Sequence, residues 1–260
     1  MIAVKSSDAL AELSNSRESI VLEWKDVSYS RLEKDSEKSG MLSTQFKKKD
    51  ILCGLNGCAK SGRLLAIMGP TGCGKTSLLN VLAARVSTSG MSEGQLQGQV
   101  LINGKARDDN TFRRVSAYVL QDDKLYPHLT MHETLLLAAH FFLPSGVSDE
   151  QKEDVISNVM MELGLGKTRD TIIGDEKVRG VSGGERKRAN IAVQLISNPQ
   201  VLFMDEPTSG LDSFQAQSVM EAIKNLARSG RLVISVIHQP RSSIYQMFDD
   251  LLLLSNGKTM

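Results

Sequence analysis

Eight residues constrain this chain more than any others: Gly69-Pro70-Thr71-Gly72-Cys73-Gly74-Lys75-Thr76. They fill every fixed position of the pattern G-x-x-x-x-G-K-[ST]. Before them, Leu64-Leu65-Ala66-Ile67-Met68 reads as a buried strand. After them, Ser77-Leu78-Leu79-Asn80-Val81-Leu82-Ala83-Ala84 reads as a helix with one apolar face. A chance glycine turn would have no reason to join a strand to a helix. The glycines let backbone N–H groups turn inward around an anion, and the helix points its positive end at the same place. Lys75 can reach the outer phosphates of a nucleotide, and the Thr76 hydroxyl can ligate Mg²⁺.

At 260 residues the chain can form one large domain, or one domain with an embedded subdomain. Its formal net charge of +1 gives no field for nucleic acid, which is not an expected partner. Cys53, Cys58 and Cys73 are odd in number, lack a metal spacing and fit a reducing compartment. The polar, mixed-charge N-terminus does not resemble a secretory signal. The longest apolar run, residues 135–143, is interrupted by His140. It is far shorter than the roughly 20 residues a membrane helix needs.

In chain order, residues 1–19 read as a mobile tail and residues 20–29 as a strand. Residues 31–50 are rich in Ser, Lys and Glu, and Lys47-Lys48-Lys49 reads as a solvated face. An apolar pattern resumes at residues 51–55. Residues 98–103 and 115–119 are strand candidates, and residues 132–143 a helix. Ser148 and Gln151 form a capping box that opens another helix, stopped by Gly164 and Gly166. A helix from Ser182 to about Ser197 ends before Pro199. Residues 201–206 form a buried strand ending in Asp205 and Glu206. Asp212 caps a further helix, residues 232–237 form a strand followed by His238, and residues 251–254 form a last strand. The sequence stops as a return strand begins.

A phosphate loop needs a carboxylate that holds the metal or its water, and hydrolysis needs a second group to orient the attacking water. Asp205 and Glu206 supply both at one strand end. Read together, the order of Gly69–Thr76, Gln121, Ser182-Gly183-Gly184, Asp205-Glu206, Ser209-Gly210-Leu211-Asp212 and His238 resembles the nucleotide-binding domain of an ABC transporter. The wording Val181-Ser182-Gly183-Gly184-Glu185-Arg186-Lys187-Arg188 and Ile237-His238-Gln239-Pro240-Arg241 is similar to the G subfamily, the White-type half-transporters.

The resemblance implies an α/β fold: a P-loop NTPase with a mainly parallel sheet, an N-terminal antiparallel β part and an inserted helical subdomain at about residues 122–198. The nucleotide-binding domain spans residues 20–260, with an apparently truncated end and no transmembrane domain. ATP and Mg²⁺ are the implied ligands. Gly69 to Ser77 cradle the phosphates, while Thr76, Gln121 and Asp205 serve the metal. Glu206, His238, Lys75 and Gln121 carry hydrolysis. Ser182, Gly183 and Gly184 are the signature that takes the γ-phosphate held by a second subunit, and Asp212 speaks across that dimer. Glu185 stands where many relatives have Gln. The register puts Arg31 near the place where many such domains stack adenine, with Tyr29 two residues earlier; the base-stacking residue stays open, with Arg31 stacking through its guanidinium plane or the base loosely held. His128 and His132, four apart, lack a further metal ligand nearby, and Arg186-Lys187-Arg188 reads as signature helix rather than a nucleic-acid patch.

The implied partners are a second such domain and a transmembrane domain, in the same longer chain or a separate permease. The implied place is the cytoplasmic face of a membrane, moving a lipid-like or hydrophobic substrate. Two rivals are a soluble ABC ATPase not coupled to transport and an inactive regulatory module. The intact Glu206 and His238 argue against the second.

Overall fold

The computed structural model describes residues 19–34, 46–86, 94–175 and 177–260. The tail expected at residues 1–19 lies, but for Ser19, outside them. Ten strands form two sheets among the described residues. Strands β1 (Val21–Lys34), β2 (Phe46–Lys60), β3 (Leu64–Met68), β4 (Gln95–Ile102), β5 (Lys105–Ala106), β6 (Ser116–Val119), β7 (Val201–Asp205), β8 (Leu232–Val236), β9 (Asp250–Ser255) and β10 (Lys258–Thr259) follow chain order. The helices are α1 (Lys75–Leu82), α2 (Asp109–Val115), α3 (Met131–Phe142), α4 (Asp149–Glu162), α5 (Gly183–Leu195), α6 (Ser213–Arg228) and α7 (Ser242–Tyr245).

A four-stranded antiparallel sheet runs β2-β1-β4-β5, and a six-stranded sheet runs β10-β9-β3-β8-β7-β6. Strands β6, β7, β8, β3 and β9 are mutually parallel, with only the β9–β10 turn antiparallel. β7 and β8 are buried along their whole length, as strands covered on both faces must be. Their alternate side chains serve two cores. Leu64, Ala66, Leu202, Met204 and Val233 face a layer built with α3, α4, α5 and α6. Leu65, Ile67, Val201, Phe203 and Ile234 face α1, α2 and the antiparallel sheet, where Leu22, Trp24, Leu52 and Leu55 sit.

Between β6 and β7 the described residues carry α3, α4 and α5. Thr130 with Glu133, and Ser148 with Gln151, start α3 and α4 by capping boxes. Three segments depart from the sequence reading. β1 and β2 extend through the charged residues 30–34 and 46–50, because their ladder continues to Lys34 opposite Phe46. The strand expected at residues 115–119 starts one residue later. A helix precedes it, α2, which Asp108 caps by accepting from the Thr111 N–H at 3.0 Å.

Helix α1 is tied down at its far end. Arg107 donates to the carbonyls of Val81 and Leu82 at 3.0 and 2.8 Å, and Arg113 to that of Ala84. Two cations at a helix C-terminus satisfy orphan carbonyls and complement its negative end. A second tie is made by the β9–β10 turn. Gly257 accepts from the Cys53 N–H at 2.8 Å and donates its own N–H to the Cys73 carbonyl at 3.1 Å. One turn residue thus joins strand β2 to the loop before α1.

Candidate nucleotide site

The loop 69–76 leaves β3 at its C-terminal end, where parallel sheets of this kind place ligands. Gly69 has φ 154° and lies so close to Leu254 that an added Cβ would stand 2.1 Å from its carbonyl oxygen. Gly74, at φ 104°, caps α1, and a Cβ there would meet Leu52 at 2.8 Å. Only glycine fits both positions. Pro70 lends its carbonyl to the Cys73 N–H at 3.3 Å, and Cys73 is buried against Gly69. Thr71 and Gly72 are exposed at the rim, and Ser77 is half-buried in the first turn of α1. Lys75 is buried and folds back, donating to the carbonyls of Gly69 at 2.9 Å and Pro70 at 3.0 Å.

Asp205, at the end of β7, accepts from the Thr76 hydroxyl at 3.1 Å and from the Tyr118 hydroxyl at 3.3 Å. Burial pushes its carboxyl above the usual value, and the neighbouring Glu206 charge adds to this. The two hydroxyls and Lys75 pull the other way. Tyr118, on β6, is itself raised, first by burial and then by Asp205, and its ring lies 4.3 Å beneath the Arg85 guanidinium carbon. Hard oxygen donors around a desolvated carboxylate suit a divalent cation such as Mg²⁺.

Glu206 follows in the left-handed region, φ 48°, with its N–H bonded to the Val236 carbonyl at 3.1 Å. A glutamate at positive φ is strained, and such strain is held where the surroundings determine it. Its carboxylate accepts from Gln121 Nε2 at 3.1 Å. His238, just past β8, has Nε2 3.3 Å from the Thr71 hydroxyl. Thus Lys75, Thr76, Gln121, Asp205, Glu206 and His238 come together around one loop.

The remaining motif lies elsewhere. Ser182 caps α5, and Gly183 and Gly184 pack against Gln215 of α6, which Asp212 caps by accepting from the Gln215 N–H at 2.9 Å. Among the described residues, Ser182-Gly183-Gly184 makes no hydrogen bond to the phosphate loop. A cleft of about 480 Å³ is lined by Gln121, Asp123, Gly183, Ser209 and Leu211.

Several residues of the site escaped the sequence reading. Lys187 Nζ lies 3.1 Å from Asp123 Oδ1 and also bonds the Gln121 carbonyl. Asn190 donates to Asp123 at 3.0 Å. These polar groups on α5 hold the segment that carries Gln121. Their neighbours are spent structurally too: Arg186 donates to the Gly174 carbonyl at 2.9 Å and Arg188 to Ser218 at 3.0 Å. Tyr118 was signalled only by its place three residues before Gln121. Of the open candidates, Tyr29 stands opposite Leu52, which packs against Gly74, while Arg31 is exposed opposite Lys49. His132 is bonded to Glu153 at 2.8 Å. Among the described residues no group of three metal-binding side chains forms, and no helix is long and apolar enough to cross a membrane.

The family model described as "ABC transporter" matches residues 52–209. "ABC transporter G family member 7" of Arabidopsis thaliana is 44% identical over 92% of this chain and 31% of its own length. "Broad substrate specificity ATP-binding cassette transporter ABCG2" of Sus scrofa is 46% identical over 96% of this chain and 36% of its own. The chain therefore spans about a third of the length of these relatives. A solved structure titled "Dimeric Structure of MJ0796, a Bacterial ABC Transporter Cassette" superposes with a TM-score of 0.67. It is 24% identical and covers 92% of this chain and 96% of that one.

Proposed function

The chain belongs to the ABC transporter family as a nucleotide-binding domain of the G-family kind, and from this we propose that it hydrolyses Mg-ATP to drive transport across a membrane. One arrangement carries the reading. Three side-chain pairs, Thr76 with Asp205, Gln121 with Glu206 and Thr71 with His238, gather around the loop that follows β3.

The inward backbone N–H groups of the loop hold phosphate oxygens, and the α1 N-terminus adds its partial positive charge. Lys75 exchanges the Gly69 and Pro70 carbonyls for the outer phosphates. Thr76 and Asp205, with Gln121 beside them, hold Mg²⁺, which when bound neutralises charge on the outer phosphates. Glu206 orients the attacking water and takes its proton, and Gln121 holds Glu206 in place. His238 releases Thr71 and donates to the terminal phosphate. Ser182, Gly183 and Gly184 lie apart from this loop, so they serve the nucleotide of a second copy, and two copies close head to tail on two ATP. Closure acts on a transmembrane partner at the cytoplasmic face, in a longer chain or a separate permease, and moves a hydrophobic or lipid-like substrate.

The test is Glu206→Gln in the intact protein. Phosphate release should fall about a thousandfold, within the range a general base contributes. ATP should still bind and should remain trapped. Turnover at the parent rate would remove Glu206 from catalysis.

A further inference from the structure

Ser182 does more than cap α5. Its hydroxyl donates to Glu185 Oε2 at 2.8 Å, its N–H donates to the same oxygen at 2.8 Å, and the Glu185 N–H returns to Ser182 Oγ at 3.3 Å. A carboxylate only accepts, so the Ser182 hydroxyl proton is committed to it. Ser182 and Gly183 are exposed. The positive end of α5 therefore faces outward with one anion already upon it.

We propose that Glu185 is a positioning residue that competes with the partner's ATP for Ser182 and so sets the ATP concentration at which two copies close. The inference rests on the head-to-tail reading above. Closure then requires the Ser182 hydroxyl to leave Glu185 and turn to the terminal phosphate, while a like charge stays within the first helical turn.

The chain holds its own comparison. At α3, Thr130 meets a glutamate, and its hydroxyl donates to Glu133 Oε2 at 3.0 Å. At α4, Ser148 meets a glutamine instead. The Ser148 N–H donates to Gln151 Oε1 at 3.0 Å and the Gln151 N–H returns to Ser148 Oγ at 3.2 Å. Among the described residues, the Ser148 hydroxyl donates no bond to the Gln151 side chain. Both glutamate boxes take the hydroxyl proton, and the glutamine box keeps the cap without it. Glu185→Gln should do the same at Ser182 and remove the charge.

The experiment uses the intact protein carrying Glu206→Gln, with and without Glu185→Gln, and measures ATP retained against ATP concentration at low and high salt. Glu185→Gln should lower the half-saturating ATP about threefold at low salt, as a charge at a helix terminus commands. The gap should narrow at high salt, where the repulsion is screened, and the melting temperature should hold. Glu185→Ala, which keeps the backbone cap but deletes the acceptor of the Ser182 N–H, should melt lower yet shift half-saturation in the same direction. ATP retained with equal half-saturation in both backgrounds overturns the role of Glu185 alone. A gap that ignores salt also overturns it, since a purely structural cap would behave so. No retained ATP at any concentration, with or without Glu185→Gln, overturns the head-to-tail reading and this inference together.

Discussion

Lys187→Met tests how far the nucleotide site depends on a buried ion pair outside it. The Lys187 and Asp123 side chains are 7% and 13% exposed, with Nζ 3.1 Å from Oδ1. At that distance the attraction is about 5 kcal/mol for an effective dielectric near 20. Methionine keeps most of the stem's volume and removes the charge, leaving Asp123 half-buried without its cation and the Gln121 carbonyl without this donor. Breaking one side of a buried pair costs about 3–5 kcal/mol. Asn190 still donates to Asp123 at 3.0 Å, so the lower end, about 3 kcal/mol, is expected. For a chain of this size that lowers the melting temperature by about 6–12 °C. ATP turnover should fall as well, because the segment carrying Gln121 loses its anchor. Adding Asp123→Asn removes the stranded charge and should return about half of the lost stability in a double-mutant cycle. Urea and thermal melts read both quantities. A single-variant loss below about 1 kcal/mol, or a double variant no more stable than the single, refutes the reasoning.

Two further predictions concern the scaffold. A Cβ at Gly57 would lie 2.3 Å from Trp24 Cζ2, and Trp24 is 1% exposed; Gly57→Ala should therefore cost about 1–3 kcal/mol and shift the emission of the chain's one tryptophan, and parental stability with unchanged emission contradicts this. Glu153 lies below its ordinary value of 4.5, first through its hydrogen bond to His132 and then through that to Arg169. A depressed carboxylate stabilises the fold above that value and loses its contribution as pH falls through the folded one. The stability gap between parent and Glu153→Gln should thus be present at neutral pH and close below 4.5; a gap undiminished at roughly pH 3 contradicts the assignment.

The candidate site residues were legible because the chemistry proposed for them fixes residue type and spacing together. A phosphate loop tolerates little besides Gly69, Gly74, Lys75 and Thr76, and an acid pair at a strand end announces itself. The supporting contacts have no such signature. Lys187, Asp123 and Asn190 meet across a long stretch of chain, and nothing in their local pattern separates them from a solvated face. Arg107 and Arg113, which hold the end of α1, look like ordinary surface charges in sequence. The extended arms of β1 and β2 were hidden because a ladder of charged residues lacks the apolar alternation that marks a strand. α2 was hidden by its shortness and its polar start.

The bond pair at Gly257 bears on the order in which the molecule is made. The phosphate loop leaves the ribosome early, but one of its carbonyls, that of Cys73, and the neighbouring strand position Cys53 find their partner only in the last hairpin. About three quarters of the given sequence lies between the two. A nascent chain that has completed β3 and α1 therefore carries a recognisable motif without a finished cradle. The cradle is therefore complete only once residue 257 has joined it, and a contact this distant in sequence is slow to close.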